Sequence, residues 1–314
     1  MAAEPSLKAD TISARLYQAT LKVVPSAVAA LLAEYSKIPV EDQKAHITKI
    51  RDQAYEKHPY PCLGRWRFLE LDLSTHPLYH SDILPALTGE DRKQDNSTSD
   101  GSACLFLDLG CCLGQDLRKL IFDGADPSRL WGADLRPEFI EIGYSLFGDR
   151  ESFPPSHFIA PADVFDLSPS TPLAQMDGEV GILHVCAVFH LFDLDGQKKM
   201  AQRALKLLDP NKKRVLVVGA QTANVNSGEF ERRVGDGRTR YRHNAESWRS
   251  FWEEAVQAEQ WKDIIRGVEV DTILEEVTST RANWLSDSNT TQRQIGLFEE
   301  GFRWMKFSVW VDFV

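Results

Sequence analysis

The chain has 314 residues, 43% of them hydrophobic and 26% charged, with a formal net charge of −10. This is the composition of a globular protein with a sizeable core, and it excludes disordered and fibrous classes. The acidic balance, without clustered basic residues, argues against a protein that grips a nucleic-acid backbone, and no apolar run is long enough to span a membrane.

The five cysteines, Cys62, Cys104, Cys111, Cys112 and Cys186, are odd in number and several lie in apolar, strand-like surroundings. Reduced thiols in a cytoplasmic protein are expected from this pattern. The opening MAAEPSLKAD has no basic stretch followed by an apolar run, so no signal peptide is evident.

From Thr11 to Tyr35 apolar residues recur at helical spacing, with a break expected at Pro25. Val28, Leu31, Leu32 and Tyr35 form one stripe. Ile38-Pro39 opens a second helix, with Ile47, Ile50 and Ala54 on its buried face. His58 to Pro77, HPYPCLGRWRFLELDLSTHP, holds too many prolines for a long helix. Its Tyr60, Arg65, Trp66 and Arg67 suit either a lid over a small-molecule site or a packing segment with solvated arginines. In the first reading, Tyr60 and Arg67 contact substrate. Thr88 to Ser102, TGEDRKQDNSTSDGS, is polar and reads as a linker. The expected organisation is an N-terminal helical lid segment over residues 1–87, a polar linker over 88–102 and an α/β domain over 103–314.

Leu105 to Leu120, LFLDLGCCLGQDLRKL, is the stretch around which the rest is organised. An apolar strand runs into Asp108, glycines at 110 and 114 mark a tight turn, and Leu117, Leu120 and Ile121 follow at helical spacing. A strand, a glycine turn and a helix make the first βα unit of a doubly wound sheet, with a ligand at the carboxyl end of the strand. A dinucleotide site would want G-x-G-x-x-G. Here the pattern is D-x-G-x-C-x-G, with Cys112 where a middle glycine would stand. A carboxylate at the strand tip opposes a phosphate but suits a ligand bearing a cation and hydroxyls. S-adenosylmethionine (SAM), with a sulfonium, an ammonium and a ribose diol, fits. CCLG has no metal-ligand spacing, and no metal is expected.

Arg129 to Leu135 reads as a second strand ending on Asp134, twenty positions after Gly114. An acid at that place hydrogen-bonds a ribose diol in nucleotide-binding sheets, and it also suits a helix N-cap before Arg136-Pro137-Glu138. A helix follows to Phe147. His157 to Leu167 holds a short third strand leading to Asp163-Val164, where a lone Asp is usually a turn residue. Glu179 to Phe192, EVGILHVCAVFHLF, is a central strand and its exit. His184 reads as a core histidine. His190, at the exit, is the candidate catalytic residue, as general base or as a positioning group.

Gln197 to Leu208 reads as a helix and Arg214 to Ala220 as a fifth strand. Gln221 to Tyr241 is a polar insertion able to cover a substrate pocket, with Gln221 a candidate substrate contact. Arg232, Arg233, Arg238, Arg240 and Arg242 would draw an anionic substrate, unless they are only solvated. Asn244 caps a helix over Glu246 to Gln257 with a stripe of Trp248, Phe251, Trp252 and Ala255. Ile273 to Ser279 and Met305 to Val311 are two late strands.

Asp108-x-Gly110, Asp134, Asp163-Val164 and the count of seven strands resemble class I SAM-dependent methyltransferases. The segments HPYPCLGRWRFLELDLS, DLGCCLGQDLRKL, GADLRPEFIEIGYSLFGDR and the HLF after the fourth strand further resemble fungal secondary-metabolite carboxyl O-methyltransferases of meroterpenoid type. The resemblance runs from about Thr11 to Val314. It implies a Rossmann-like seven-stranded sheet with helices on both faces and a reversed hairpin at one edge. It also implies SAM held at Asp108, Gly110, Gly114, Asp134, Leu135, Asp163 and Val164, and methylation of a small molecule. The acceptor, a carboxylate or a phenol, stays open at this point. So does a methyltransferase-fold protein that works without transfer, as a cyclase, an isomerase or a regulatory SAM-binding partner. The expected partners are a small-molecule substrate and a second copy in a homodimer, with no nucleic acid and no membrane.

Overall fold

The computed structural model describes residues 17–88, 104–231, 239–276 and 299–314. The apolar run at Leu105–Leu109 is β1, in a sheet that also contains β2 (Leu130–Ala133), β3 (Phe158–Ile159), β4 (Val180–Cys186) and β5 (Arg214–Asn224). These five strands are parallel to their neighbours. β9 (Phe302–Phe313) inserts antiparallel between β5 and β8 (Ile265–Glu275), giving the order β3-β2-β1-β4-β5-β9-β8. A small separate hairpin pairs β6 (Gly228–Glu231) with β7 (Thr239–Arg242).

The order explains where a ligand goes. Strand order turns back between β1 and β4, and in such sheets the crevice lies outside the carboxyl ends at that switch. The β4 side chains are buried from Val180 through Val185, as a strand covered on both faces must be. The helices α5 (Gln115–Phe122), α6 (Pro137–Phe147), α7 (Leu194–Leu207) and α8 (Ala245–Val256) lie along the sheet. Asn244 caps α8 in a capping box with Ser247, and Trp248, Phe251, Trp252 and Ala255 are all buried against the sheet.

The N-terminal segment contains α1 (Ser26–Ala30), which continues as a π turn through Leu31–Tyr35, then α2 (Val40–Lys57), α3 (Pro61–Gly64) and α4 (Leu84–Thr88). It is not a loose flap. Val28, Leu31, Leu32, Ile47, Ile50, Ala54, Leu63 and Trp66 share one core with Leu113, Phe139, Leu146 and Phe147 of the sheet domain. Each large side chain of that set contributes about 2 kcal/mol by leaving water, so the layer is firmly seated. Arg51 sits inside it, its guanidinium 3.7 Å from the Trp66 ring and 4.3 Å from that of Tyr17, donating to the carbonyl of Gln18 at 2.8 Å.

Several expected boundaries shift. Helix begins only at Ser26, after Pro25, and residues 17–25 are not helical. The fifth strand runs on to Asn224. β8 begins at Ile265 instead of Ile273, because its early residues alternate irregularly between buried and exposed on a sheet edge and carry little pattern. Thr11 to Leu16, the linker after Thr88, Arg232, Arg233 and Arg238, and the end of the late strand expected to reach Ser279 lie outside the described residues.

Candidate active site at the carboxyl edge of the sheet

The turn after β1 is built by backbone contacts with β2. The N–H groups of Gly110 and Cys111 both donate to the carbonyl of Ala133, at 2.7 and 3.1 Å. Gly110 and Gly114 take left-handed φ values of +83° and +68°. At Gly114 a side chain would also meet Arg118, whose Nη1 would lie 2.3 Å from an added Cβ. Arg118 is tied below the turn by a buried, bidentate ion pair to Asp149 at 2.8 and 3.0 Å. Cys112, where the related pattern carries glycine, adopts φ of 53° all the same. Lys37, Trp66, Leu71 and Ala187 are also non-glycine residues in the left-handed region, and of these Ala187 directly follows β4. Such strain gathers at working sites.

Asp134, at the exit of β2, is 9% exposed. Its Oδ2 accepts from the N–H of Cys112 and its Oδ1 from the N–H of Arg136, both at 2.9 Å. It therefore ties the turn and closes an Asx turn just ahead of α6, whose N-cap is Arg136 and not Asp134 as expected. Burial pushes its carboxyl up to about 6, against the pull of those two amides. Each oxygen keeps a second lone pair, so two acceptors remain for a vicinal diol. Next to it Leu135 exposes 45% of its surface, an apolar face beside the acid. The N–H of Ala162 donates to the carbonyl of Asp134 at 2.9 Å, which brings the exit of β3 alongside. There Asp163 is exposed and its Oδ1 accepts from the N–H of Phe165 at 2.9 Å in an Asx turn, with Val164 packed partly into the core. Acid, apolar surface and Asx loop thus lie next to one another at the exits of β2 and β3.

Asp108 is placed differently from the expectation. It is 2% exposed, and its Oδ1 lies 2.8 Å from Nδ1 of His184 on β4. The carboxylate faces the sheet's interior, so it supports the site from below. His184 is more than a packed core residue: burial works against its charge, but Asp108, Asp116 and Asp72 together raise its pKa. Ligand atoms of Asp108, Asp116 and His184 lie within 4.8 Å of one another. Asp116 accepts from the N–H of Leu73 and from Nε2 of Gln115, both at 3.2 Å. The neighbouring carboxylates favour the charged form of His184, and the donor set reads as a charge-paired cluster.

On the β4 and β5 side, His190 is half-buried. Its Nδ1 accepts from the N–H of Thr222 at 3.3 Å, which leaves the ring proton on Nε2. Burial holds its pKa well below the usual value, with Arg242, Arg240 and Arg67 adding to the effect. Arg242 donates from Nη1 to the His190 carbonyl at 2.9 Å and pairs with Glu299 at 2.8 Å. The His190 ring stands 6.4 Å from Trp304 on β9, and the Arg67 guanidinium lies 3.7 Å over that same indole. Gln221 is 2% exposed on β5, beside Thr222.

The N-terminal layer closes this edge. Arg67 pairs with Glu70 at 2.6 Å and Asp72 at 3.3 Å, Cys186 donates to Asp72 at 3.7 Å, and Lys306 donates to the Thr75 carbonyl at 2.8 Å. Arg67 and His190 therefore meet through Trp304, while Gln221 is a buried residue of β5. Tyr60 sits apart from them. It packs on Phe139 of α6, centroids 5.7 Å apart, near the β2 exit. Sequence reasoning missed Cys186, Trp304 and Thr222. They come from distant segments, and only the register and the lid's path bring them together.

A family profile described as meroterpenoid methyltransferase N-terminal domain matches residues 16–69. O-methyltransferase phiE from a fungal species is 39% identical over 250 residues, which cover 79% of this chain and 77% of that protein. Methyltransferase adrK of Penicillium roqueforti is 38% identical over 246 residues, which cover 77% and 80%. Among solved structures, the O-methyltransferase from a trans-AT PKS multienzyme of Brevibacillus brevis, in complex with S-adenosyl-L-homocysteine, aligns with a TM-score of 0.46. That alignment has 13% identity and covers 92% of this chain and 81% of the other. The chain belongs to the family of fungal SAM-dependent methyltransferases that carry the meroterpenoid methyltransferase N-terminal domain.

Proposed function

We propose that the protein methylates a carboxylate of a small-molecule secondary metabolite, giving a methyl ester. The observation that carries this reading is the state of His190. A histidine held neutral, with Nδ1 occupied by a backbone N–H, has no lone pair left to take a proton. It offers Nε2–H as a donor, in the field of Arg67, Arg240 and Arg242. An acceptor that arrives already ionised needs no base, only alignment and exclusion of water.

SAM supplies an electrophilic methyl with a neutral thioether leaving group. In this reading Asp134 holds the ribose diol, Leu135 and Val164 flank the base, Asp163 accepts from it, and Gly110 and Gly114 let the backbone come close. Asp108 acts from beneath, through His184. The N-terminal layer over residues 17–88, a lid in this reading, keeps water out and presents Arg67 to the acceptor. None of the five cysteines is in a disulfide, and no described helix is long and apolar enough to cross a membrane. Free thiols support a cytoplasmic setting.

The test is incubation with methyl-labelled SAM and matched acceptor pairs, each an aromatic or terpenoid acid and the phenol or alcohol of the same skeleton. The expected product is a labelled methyl ester that mild alkali hydrolyses. Label found only in alkali-stable ethers would overturn the carboxylate assignment.

A further inference from the structure

We propose that Arg118 is a positioning residue for the cofactor turn, and that Tyr35 of the N-terminal layer acts on SAM binding through it, by way of Asp149. This rests on the placement of SAM at the turn after β1 given above.

The relay is a chain of contacts between three side chains and the backbone of the turn. Tyr35 ends the π turn Leu31–Tyr35, and its hydroxyl donates to Oδ2 of Asp149 at 2.7 Å. The same oxygen accepts from Nε of Arg118 at 2.8 Å, and Oδ1 accepts from Nη2 at 3.0 Å. The remaining nitrogen, Nη1, donates to the Leu113 and Gly114 carbonyls at 3.4 and 3.5 Å. Leu113 and Gly114 close the turn whose other end is tied to the Ala133 carbonyl and to Asp134.

The surroundings leave the fork one orientation. Both members of the ion pair are buried. The guanidinium carbon stands 5.0 to 5.3 Å from the ring centres of Tyr144, Phe147, Phe153 and Phe158. Aromatic faces attract a cation that has left water, and a planar fork held by two carboxylate oxygens cannot rotate freely. The Leu113 carbonyl is constrained from its other side as well. It lies against Gly143 of α6, where an added Cβ would stand 2.4 Å from the oxygen.

Stability alone would be served by the Arg118–Asp149 pair. The pair also has a contact on each side, with the N-terminal layer at Tyr35 and with the cofactor turn at Nη1. A shift of the layer moves an oxygen that Tyr35 and Arg118 share. The bidentate pair passes that shift to the carbonyls of Leu113 and Gly114, where the backbone comes close to SAM. Coupling of this kind is reciprocal, so SAM that fixes the turn also tightens the layer.

The experiment starts from Tyr35→Phe, which removes one oxygen and keeps the ring on Phe147, its centroid 6.5 Å away. SAM affinity is read by calorimetry, stability by urea unfolding, and the layer by amide exchange over residues 26–57 with and without SAM. We expect affinity about fivefold lower than wild type, and exchange that SAM slows in wild type but not in the variant. Arg118→Lys keeps a charge opposite Asp149 and drops the nitrogen that reaches the turn. It should lose about tenfold in SAM affinity, and adding Tyr35→Phe to it should cost less than about twofold more, because the relay is already cut. Losses that multiply in the double variant overturn the relay. So does Tyr35→Phe with a lower unfolding midpoint but normal SAM affinity, when Asp134→Asn binds SAM weakly. Normal affinity in both Tyr35→Phe and Asp134→Asn refutes the placement of the cofactor, and the relay with it. Where Arg118→Lys does not fold, affinity and exchange in Tyr35→Phe decide alone.

Discussion

Nδ1 of His184 lies 2.8 Å from Oδ1 of Asp108, on adjacent parallel strands at matched register, with Asp116 beside them and all three buried. The neighbouring acids raise the pKa of the histidine and so favour its charged form beneath the turn after β1. His184→Leu strands both acids and should destabilise the fold by about 3–5 kcal/mol, measured by urea unfolding. A loss below about 1 kcal/mol would mean that the pair is not ionised.

The same cluster sets a pH dependence. A histidine whose folded pKa is raised stabilises fully below its unfolded value of about 6.5, and the gain is lost as pH climbs through the folded value. Asp116, pushed up to about 7 mainly by burial, acts with the same sign, since the folded state keeps a proton that the unfolded chain has released. Unfolding free energy should therefore fall as pH rises from about 6 to 8. The slope should shrink in His184→Leu. A wild-type curve that rises across this window would contradict the assignment.

In the proposed function Asp134 would accept from both hydroxyls of a diol and must be ionised to do so, and its carboxyl is pushed up to about 6 by burial. SAM affinity should weaken as pH drops below about 6. Asp134→Asn should bind roughly ten- to a hundredfold more weakly at neutral pH, the worth of a hydrogen bond to a charged group, and should lose the pH response. Calorimetry across pH reads both effects. Normal affinity in the variant would put the ribose elsewhere.

What the sequence made legible was the local chemistry. Glycine spacing marked the turn after β1, Pro25 and Pro39 marked the helix starts, and the apolar run at Val180 marked the central strand. What it hid was long-range pairing. Asp108 looked like an acid facing a ligand because nothing in a linear pattern shows that His184 stands opposite it. His190 looked like a base because its pKa depends on burial, on the Thr222 N–H and on arginines brought in from β7 and the N-terminal layer. Trp304 gave no signal at all, since packing residues become meaningful only through their neighbours.

His190 as a donor makes a kinetic signature. His190→Gln keeps an acceptor for the Thr222 N–H and a donor for substrate, and should retain activity within about tenfold of wild type. His190→Leu has neither and should lose about ten- to a hundredfold in kcat/KM. The wild-type profile should show no limb near pH 6.5 from this residue, because it stays neutral there. A limb at that pH that vanishes in His190→Gln would restore the role of general base.

Arg67 joins the N-terminal layer to β9. Its guanidinium lies 3.7 Å over Trp304, and it pairs with Glu70 and Asp72, whose side chains are each 9% exposed. Arg67→Met keeps much of the stem but drops the charge, losing a cation–π contact of about 0.5–2 kcal/mol and leaving two half-sheltered acids without this partner. Arg67→Lys keeps the charge without the planar fork and should fall between the two. Because these contacts lie at the β4–β9 end of the crevice and Asp134 lies at the other, KM for the acceptor should rise while SAM affinity holds. Equal losses in both would show that the segment around Arg67 serves the cofactor as much as the acceptor. Faster proteolysis near Arg67 with KM unchanged would leave it a structural clasp alone.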